Sequence, residues 1–310
     1  MRIKKIIKNI NPKLYYFLQY KKKEIKYIKR KNTKAKEYPN LLEKRYYELT
    51  GIQMDINNPQ TYSQKIQWLK LYDPNPNRSM LTDKVAVREW IKRKIGSEYL
   101  VPIYGVYNSF DEIEFETLPK QFVMKTNHSS GWNIVVKDKN ELDIKKAKKQ
   151  FNKWMKMDYA FWTEFEPHYS NIAPKILIEK YMEDSSGNLI DYKFLCFDDK
   201  PEFVWVDFDR FGNHKRNVYD MDWKLQPWTQ FTYANYLPEG GVPVPSGFED
   251  MKRIAKILCQ GFIHVRVDLY NIDGRIYFGE MTFTNGSGFE QIYPPKYEKI
   301  IGDYIKIPIK

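Results

Sequence analysis

Residues 262–288 have the sequence FIHVRVDLYNIDGRIYFGEMTFTNGSG. The pattern on either side of Asp273-Gly274 predicts two antiparallel β-strands joined by a tight turn. Side chains two positions apart on a strand face the same side, so Arg266 and Asp268 share one face. The intervening Val267 then points the other way. The first strand therefore offers one charged face as a candidate site.

A pair of acidic residues is expected to meet across this hairpin. A short odd-length loop centred on Gly274 would place Asp268 directly opposite Glu280, with Thr282 on the same face as Glu280. Opposed side chains have Cβ atoms roughly 5 Å apart, and two bare carboxylates at that distance repel each other. Mg²⁺ removes such repulsion and typically uses one or two protein carboxylates together with substrate phosphates. The hairpin therefore predicts a Mg²⁺ site beside a nucleotide; the alternative is two unrelated acids at a solvated strand edge.

The charge of the chain is concentrated at its N-terminus. The 310 residues have a formal net charge of +12, and residues 1–37 hold 14 Lys and Arg against Glu24 and Glu37. The remainder carries 37 basic and 37 acidic residues and is formally neutral. A neutral body without a recognised motif predicts no nucleic-acid partner. The distribution describes a basic arm attached to a neutral body.

Apolar residues recur at helical spacing within this arm, at Ile3, Ile6, Ile7, Ile10, Leu14, Phe17 and Leu18. One interpretation is peripheral attachment to the anionic inner leaflet of a membrane, because basic amphipathic helices lie in that interface. The other is a helix docked on the body with solvated lysines. No run of signal-peptide or transmembrane length is present. Cys196 and Cys259 are far apart, which predicts free buried thiols and a cytoplasmic location.

A second motif precedes the hairpin by more than a hundred residues. QFVMK (121–125) and IVVKDK (134–139) predict two strands, and the loop between them contains Ser129, Ser130 and Gly131. Small residues at such a loop tip are typical of a hairpin that covers phosphates. The tip, residues 127–131, shows no apolar anchor and is expected to be a mobile lid.

The order of these motifs resembles the ATP-grasp superfamily. That family has a strand ending in lysine and then a small-residue loop, which here are Phe122–Lys125 and His128–Gly131. Its hinge strand, which meets adenine, is similar to Ile176–Met182. Its closing pattern, Arg-x-Asp followed by Glu-x-Asn, is similar to Arg266–Asp268 and Glu280–Thr282. Threonine replaces the usual asparagine here, so Thr282 or the later Asn285 would complete the metal site.

The resemblance is narrower to the TupA-like branch, named for teichuronopeptide synthesis and common in bacterial surface-polysaccharide loci. Its motifs are spread over residues 46–300: WLKLYD, TDKVAVREWI, YLVPIYGV, FVMKTNHSSG, DYKFLCF, VRVDLY and YFGEMTFTNGSG. The resemblance implies an α+β ATP-grasp fold in which the nucleotide is held between two α+β lobes. The expected segments are a basic amphipathic arm (1–37), a mainly helical N-terminal lobe (38–118), a lid subdomain (119–182) and a C-terminal metal and catalytic subdomain (183–310).

The resemblance also implies an activity. ATP-grasp enzymes typically phosphorylate a carboxylate and let an amine displace the phosphate. The expected cofactors are ATP and Mg²⁺, and the expected substrates are a uronic acid of a bacterial capsule or other surface polysaccharide and an amino acid or other amine. The residues implied for ATP are Lys84, Lys125, Ser129, Ser130, Gly131, Glu179, Lys180, Tyr181, Met182, Asp191 and Lys193. Arg266 and Lys193 are implied for catalysis, and Asp268, Glu280 and either Thr282 or Asn285 for the metal.

Two other classes of protein compete with this interpretation. Asp207-Phe208-Asp209 forms a DxD triplet, which glycosyltransferases use to hold a metal on a nucleotide-sugar diphosphate. A glycosyltransferase gives no reason for the Lys125 loop or for the acidic hairpin. The second alternative is a membrane-associated scaffold with a degenerate ATP-grasp site, which the threonine at position 282 keeps open.

Overall fold

The structure is a computed structural model, and it describes residues 11–185, 187, 189–208, 214–230, 235–236, 238 and 241–308. The expectations for Ile3, Ile6, Ile7, Ile10 and Asp209 lie outside these residues. The α-helices of the described residues are α1 (Pro12–Lys31), α2 (Tyr38–Thr50), α3 (Tyr62–Tyr72), α4 (Arg78–Thr82), α5 (Ala86–Lys94), α6 (Ile144–Trp154), α7 (Tyr159–Trp162), α8 (Phe248–Leu258) and α9 (Lys296–Gly302).

The strands form three antiparallel sheets and complete the expected α+β class. They are β1 (Ile103–Tyr107), β2 (Phe122–Thr126), β3 (Asn133–Val136), β4 (Ile176–Lys180), β5 (Asp191–Phe197), β6 (Lys200–Phe208), β7 (Lys215–Asp220), β8 (Thr229–Gln230), β9 (His264–Ile272), β10 (Arg275–Thr282) and β11 (Ile292–Tyr293). The sheet orders are β1-β4-β2-β3, β10-β9-β5-β6-β7 and β11-β8.

The five-stranded sheet separates an apolar face from a charged one. Val265, Val267 and Leu269 of β9 are fully buried against α8 on one face, because alternate residues of a strand face the same side. The opposite face is apolar at one end, where it packs against α3. Its other end carries the charged side chains Asp191, Lys193, Asp207, Arg216, Arg266 and Asp268. Because side chains alternate along each strand, the charged residues cluster at one end of one face of the five-stranded sheet.

The four-stranded sheet packs against α6 through Phe122, Met124 and Phe151, which are fully buried. Its edge strand β1 pairs with β4, so this sheet also includes residues from before position 119. The sequence of residues 111–118, just before Pro119, resembles that of a helix, but the structure forms no α-helix over these described residues. Two short 3₁₀ turns, Phe110–Glu112 and Phe115–Thr117, take its place. With these turns, Phe110 and Leu118 both pack into the core of the four-stranded sheet.

The basic helix α1 is docked on the body in its described part. Arg30 Nη1 donates to the carbonyl oxygen of Thr163 at 2.9 Å, and Arg30 Nη2 lies 2.5 Å from Glu164 Oε1. The rings of Tyr20 and Trp162 have centroids 5.5 Å apart. These contacts match the docked-helix interpretation of the arm. Within the described residues, none of the helices has the length and apolar content needed to cross a membrane. Cys196 and Cys259 are buried free thiols, as predicted.

Candidate active site

The hairpin of β9 and β10 brings the two predicted carboxylates together. Its strands are joined by the two-residue turn Asp273-Gly274, with φ angles of 51° and 88° that suit a turn with positive φ at both positions. Such a turn by itself would pair Asp268 with Gly279. The register instead shifts by one residue between Phe278 and Glu280, and Asp268 pairs with Glu280. The predicted pairing is therefore confirmed, whereas the predicted cause, an odd-length loop, is wrong; a β-bulge supplies the extra residue.

Arg266 ties this hairpin face into one polar cluster. Its Nε and Nη2 donate to Asp268 Oδ1 at 2.7 Å and to Oδ2 at 2.8 Å. The same Nη2 lies 3.3 Å from Glu280 Oε1 and 3.1 Å from Thr282 Oγ1. Thr282 Oγ1 donates in turn to Glu280 Oε1 at 3.2 Å. One guanidinium thus fixes the orientation of both carboxylates and of Thr282.

The electrostatics of the cluster favour additional positive charge. Burial raises the pKa of Asp268 to about 6, although the charges of Arg266 and Lys193 oppose this rise. The neighbouring Glu280 carboxylate raises the same pKa further. A buried carboxylate with a raised pKa is less stable in its ionised form, so a cation held by that form lowers the free energy of the site.

Lys193 faces inward but is held by acids of its own sheet. Its Nζ lies 2.7 Å from Asp191 Oδ2 and 2.8 Å from Asp207 Oδ2. Arg216 completes this network with Nε 2.5 Å from Asp207 Oδ1 and Nη2 2.8 Å from Asp207 Oδ2. Although burial opposes the shift, Arg216 and Lys193 hold the pKa of Asp207 well below its usual range. Asp207 is therefore an ionised partner of two cations.

The first half of the loop after β2 is firmly anchored. The side-chain nitrogen of Asn127 donates to Asp83 Oδ1 at 2.9 Å and to the Ala173 carbonyl oxygen at 3.0 Å. Its side-chain oxygen accepts from the Lys175 amide at 2.6 Å. Asn127 is fully buried. The sequence predicts a tip at 127–131 without an apolar anchor; the structure anchors its beginning through the buried polar side chain of Asn127.

The second half of the loop faces a cavity. Ser130 and Gly131 are exposed, and Gly131 adopts the left-handed conformation with φ of 74°. The Tyr159 hydroxyl donates to the Ser130 carbonyl oxygen at 2.8 Å. His128 is buried beside Trp132, and this burial lowers the pKa of its imidazole. The exposed tip is thus reduced to two small residues, and His128 belongs to the packing beneath them.

Two lysines reach this loop from different elements. Lys84, in the link between α4 and α5, donates from Nζ to the Ser129 carbonyl oxygen, and burial lowers its pKa. Lys125, near the end of β2, forms an ion pair with Glu179 on the neighbouring strand β4. Both ammonium groups therefore lie where the loop meets the cavity.

All sixteen predicted site residues line one or both of two neighbouring cavities. The first cavity contains Lys84, Lys125, Ser129, Ser130, Gly131, Glu179, Lys180, Tyr181, Met182, Asp191, Asp268 and Glu280. The second cavity, of about 760 Å³, contains Lys193, Arg266, Thr282 and Asn285, and shares Ser130 and Glu280 with the first. The structure thus separates the expected nucleotide residues from the expected catalytic residues, and the shared pair marks their junction.

Lys193 and Asn285 differ most from their expected positions. Lys193 was assigned to ATP as well as to catalysis, yet it lines the second cavity and not the first, because Asp191 and Asp207 hold its ammonium there. Asn285 Oδ1 accepts from the Tyr62 hydroxyl at 2.9 Å. Thr282, in contrast, contacts Glu280 directly. Of the two candidates for the third metal ligand, the structure brings Thr282 to the carboxylates.

Sequence reasoning missed several residues of the second cavity. Tyr159 and Glu166 line it from a region without a recognisable motif, and Lys22, Lys23 and Lys26 line it from α1. The concentrated positive charge of the arm was the sequence feature that could have identified these lysines as candidate binding residues. The sequence did not show that they would face a cavity of the body.

The donor set suits Mg²⁺. Asp268, Glu280 and Thr282 offer only oxygen ligands, which hard divalent cations prefer. No group of three or more His, Cys, Asp or Glu that could hold a metal was found in the part of the chain that the structure describes. A site with two carboxylates fits an ion that takes its remaining ligands from water and phosphate.

Comparisons with known proteins place this geometry in context. The family model described as TupA-like ATPgrasp matches residues 64–306. No curated protein matches the sequence significantly. Among solved structures, the chain resembles D-alanine–D-alanine ligase from Bacillus anthracis, with 18% identity, a TM-score of 0.41 and coverage of 73% of this chain and 66% of that one. The same enzyme from Helicobacter pylori has 13% identity and a TM-score of 0.41, and the match covers 74% of this chain and 60% of that one.

The ATP-grasp ligase PsnB, complexed with a minimal precursor, gives 9% identity, a TM-score of 0.42 and coverage of 74% of this chain and 61% of that one. The chain thus spans less than two thirds of the length of each of these three structures.

Proposed function

Because this chain belongs to the TupA-like ATP-grasp family, we propose that it is an ATP-dependent ligase that joins a carboxylate to an amine through an acyl phosphate. The family expected from the motifs is confirmed, and with it the class of protein, an ATP-grasp enzyme. The observation that carries the proposed reaction is the junction of the two cavities. Glu280 lies at that junction and faces Asp268, and Arg266 binds both carboxylates.

The first cavity is the proposed nucleotide site. Lys125 and Lys84 supply positive charge beside the phosphate loop, and the exposed Ser130-Gly131 tip offers backbone amides to phosphate oxygens. The hinge residues from Glu179 to Met182 line the same cavity, where the adenine and ribose would lie. Phosphoryl transfer depends on positioning and on charge neutralisation more than on covalent help from the protein, and these residues provide both.

Mg²⁺, when bound by Asp268 and Glu280 with Thr282 beside them, would neutralise phosphate charge as a Lewis acid and template. Arg266 keeps the two carboxylates oriented and presents positive charge at the boundary of the second cavity. Its planar guanidinium suits the oxygens of a transferring phosphoryl group.

The second cavity is the proposed acceptor site. There a substrate carboxylate oxygen attacks the γ-phosphorus of ATP, and ADP leaves to give an acyl phosphate. The amine nitrogen then attacks the acyl carbon and loses a proton, and inorganic phosphate departs with the electrons of the broken C–O bond. We assign the carboxylate to a uronic acid of a bacterial surface polysaccharide and the amine to an amino acid, on the strength of the family alone.

The structure gives less support to a glycosyltransferase. Asp207 would be the first acid of a DxD metal site, yet both of its carboxylate oxygens lie within 2.8 Å of Arg216 nitrogens, and Lys193 lies at the same carboxylate. A metal would have to displace two cations from it. Asp209 lies outside the described residues. The scaffold alternative is opposed by the intact cluster of Arg266, Asp268 and Glu280.

Hydroxylamine trapping tests the proposed reaction. With ATP, Mg²⁺ and the correct acid, hydroxylamine should yield a hydroxamate and equimolar ADP. Asp268→Asn and Glu280→Gln should each reduce this yield more than about 100-fold while the fold persists, because each leaves the metal a single carboxylate. Asp250→Asn, an exposed carboxylate on α8, is the matched control. Turnover of a nucleotide sugar without ATP would overturn the proposal.

We propose in addition that the outer face of α1 attaches the enzyme to the cytoplasmic face of an anionic membrane. Leu14, Phe17, Leu18, Ile25 and Ile28 are exposed on this basic helix, a combination typical of interfacial helices. Phe17→Ser with Leu18→Ser should reduce sedimentation with phosphatidylserine vesicles and leave ATP turnover unchanged. Equal sedimentation of the variant and the wild type would refute this attachment.

A further inference from the structure

The second cavity has a wall of lysines that the reaction itself does not explain. Lys22, Lys23 and Lys26 of α1 line it within about one helical turn, roughly 6 Å along the helix axis. They come from a different part of the chain than the catalytic cluster, which lies on β9 and β10. The cavity is therefore bounded by two separate groups of cations.

The cations on the sheet side are balanced by acids. Arg266 binds Asp268, whereas Lys193 and Arg216 bind Asp207. Each of these contacts is 2.5–2.8 Å long. This side of the cavity accordingly has little positive charge left over for a ligand beyond the reacting carboxylate.

The arginines next to the lysine wall are also occupied. Arg30 and Arg45 lie 2.5 Å and 3.3 Å from the same oxygen of Glu164. The Arg30 guanidinium also donates to the carbonyl oxygen of Thr163, which holds α1 on the body. These two arginines therefore have a structural task that does not depend on a ligand.

Lys22, Lys23 and Lys26 have no ion-pair partner among the residues that the structure describes. Lys23 stacks its ammonium over the Trp162 ring, 4.4 Å from the centroid. Burial lowers the pKa of Lys26, and the charge of Arg45 lowers it further, although the charge of Glu164 opposes this shift. Three like charges along one helical turn repel each other, and an anion in the cavity would relieve that repulsion.

We infer that the acceptor is an acidic sugar that carries a diphosphate, whose phosphates bind Lys22, Lys23 and Lys26. The inference rests on the proposed ligase function, since it identifies the class of carboxylate substrate. A free uronic acid has one negative charge, and the reaction places that charge at the Arg266 end of the cavity. A diphosphate supplies further negative charge in one compact group that matches a single helical turn. Lysine binds phosphate as a point charge and does not need the planar, two-point geometry with which arginine binds carboxylates.

The variants that test this assignment follow from the docking of α1. Lys22→Gln, Lys23→Gln and Lys26→Gln together remove the wall and retain the Arg30 contacts that hold the helix. The matched control combines Lys29→Gln, Lys31→Gln and Lys36→Gln. These lysines are exposed, do not line the cavity and give the same change in net charge.

Calorimetric titrations are carried out with full-length protein, Mg²⁺ and a saturating nonhydrolysable ATP analogue, so that the nucleotide cavity is filled. The probes are UDP-glucuronic acid, glucuronic acid joined through a diphosphate to a short prenyl chain, inorganic pyrophosphate, free glucuronic acid and trigalacturonic acid. The wall variant should bind both diphosphate sugars and pyrophosphate about 30-fold more weakly than wild type, as expected for three partly solvated charge contacts. The control variant should stay within about threefold.

The tighter of the two diphosphate sugars identifies the source, nucleotide or lipid. The assignment is overturned if the wall variant binds the diphosphate probes as wild type does. It is also overturned if free glucuronic acid or trigalacturonic acid binds to the wild type more tightly than the diphosphate probes do. Binding of the ATP analogue is measured first by thermal shift in all three proteins. Loss of that binding in wild type would contradict the ligase proposal, and this result is distinct from any change confined to the wall variant.

Discussion

Arg266 binds Asp268 through two parallel hydrogen bonds, 2.7 Å from Nε to Oδ1 and 2.8 Å from Nη2 to Oδ2. Both residues lie on one face of β9, two positions apart, and both are buried. A bidentate contact of this kind fixes the plane of the carboxylate as well as its distance. The guanidinium thus positions both carboxylates, and Glu280 lies at the junction of the two cavities.

Arg266→Lys should therefore lower kcat far more than it raises the KM for ATP. Lysine keeps the charge but cannot hold Asp268 at two points while also meeting Glu280 and Thr282. We expect a loss of about 100-fold in kcat, with the KM for ATP changed less than about threefold. ADP release measured across ATP concentrations separates the two constants, and Arg253→Lys on the exposed side of α8 serves as control. A large rise in KM at unchanged kcat would show instead that Arg266 contributes ground-state nucleotide binding.

Gly279→Ala should weaken the metal site more than its small size suggests. A Cβ at position 279 would lie 3.0 Å from the Asp268 carbonyl oxygen and 3.4 Å from Tyr270 Cε2. The strands would have to separate, and the bulge that sets Asp268 opposite Glu280 would change shape. We expect a cost of about 1–3 kcal/mol in the free energy of unfolding. Mn²⁺ affinity, measured by electron paramagnetic resonance with a nonhydrolysable ATP analogue, should fall about tenfold. Lower stability with unchanged Mn²⁺ affinity would mean that the bulge does not position the ligands.

The acidic hairpin was predictable because strand geometry is local. Side chains alternate with a period of two, so the sequence alone places Arg266 and Asp268 on one face. The register of the return strand depends on one residue, Gly279, whose lack of a Cβ permits the bulge. Nothing in its immediate neighbours requires a bulge there. The predicted odd-length loop therefore gave the right pairing for the wrong reason. The local pattern thus identifies Asp268 and Glu280 as cross-strand partners but does not predict the β-bulge that pairs them.

The positions that sequence reasoning missed depend on contacts between distant segments. Asn127 is anchored by Asp83 and Lys175, each more than forty residues away, so the loop looked unanchored in its own sequence. The same holds for α1, whose place is set by Arg30 and the carbonyl oxygen of Thr163. The concentrated charge of the arm predicts an anionic partner. Only the packing shows that three of its lysines line a cavity that also contains Arg266 and Glu280.

Nucleotide binding should order only the tip of the phosphate loop. The Asn127 amide already donates to the Lys175 carbonyl oxygen at 3.0 Å, and the Thr126 amide donates to the Trp132 carbonyl oxygen at 3.1 Å. These two amides should exchange slowly both with and without nucleotide. The amides of Ser130 and Gly131 should slow by at least about tenfold when Mg²⁺ and a nonhydrolysable ATP analogue are added. Hydrogen exchange with peptide-level mass resolution tests this contrast. Protection confined to residues 126 and 127, or absent throughout the loop, would place the phosphates elsewhere.

Lys70 should make the stability of the protein depend on pH in the alkaline range. This lysine is 1% exposed, donates from Nζ to the Glu164 carbonyl oxygen at 2.9 Å and lies 4.7 Å from the centroid of the Phe289 ring. Burial lowers its pKa to about 7, despite the opposing charges of Glu166 and Glu164. Between that value and the ordinary 10.5, the unfolded chain holds a proton that the folded chain has released.

The free energy of unfolding of wild type should therefore rise with pH in this window, relative to a variant without the amine. Below pH 7 both states are protonated, so the cost of burying the ammonium is present in full and constant. Lys70→Met retains the length and apolar body of the side chain, and Lys44→Met is an exposed control. Urea unfolding at pH 7 and pH 9 should show the difference between wild type and Lys70→Met shifting by about 2 kcal/mol in favour of wild type. A difference that is the same at both pH values would show that Lys70 remains charged in the fold, stabilised by Phe289 and the nearby carboxylates.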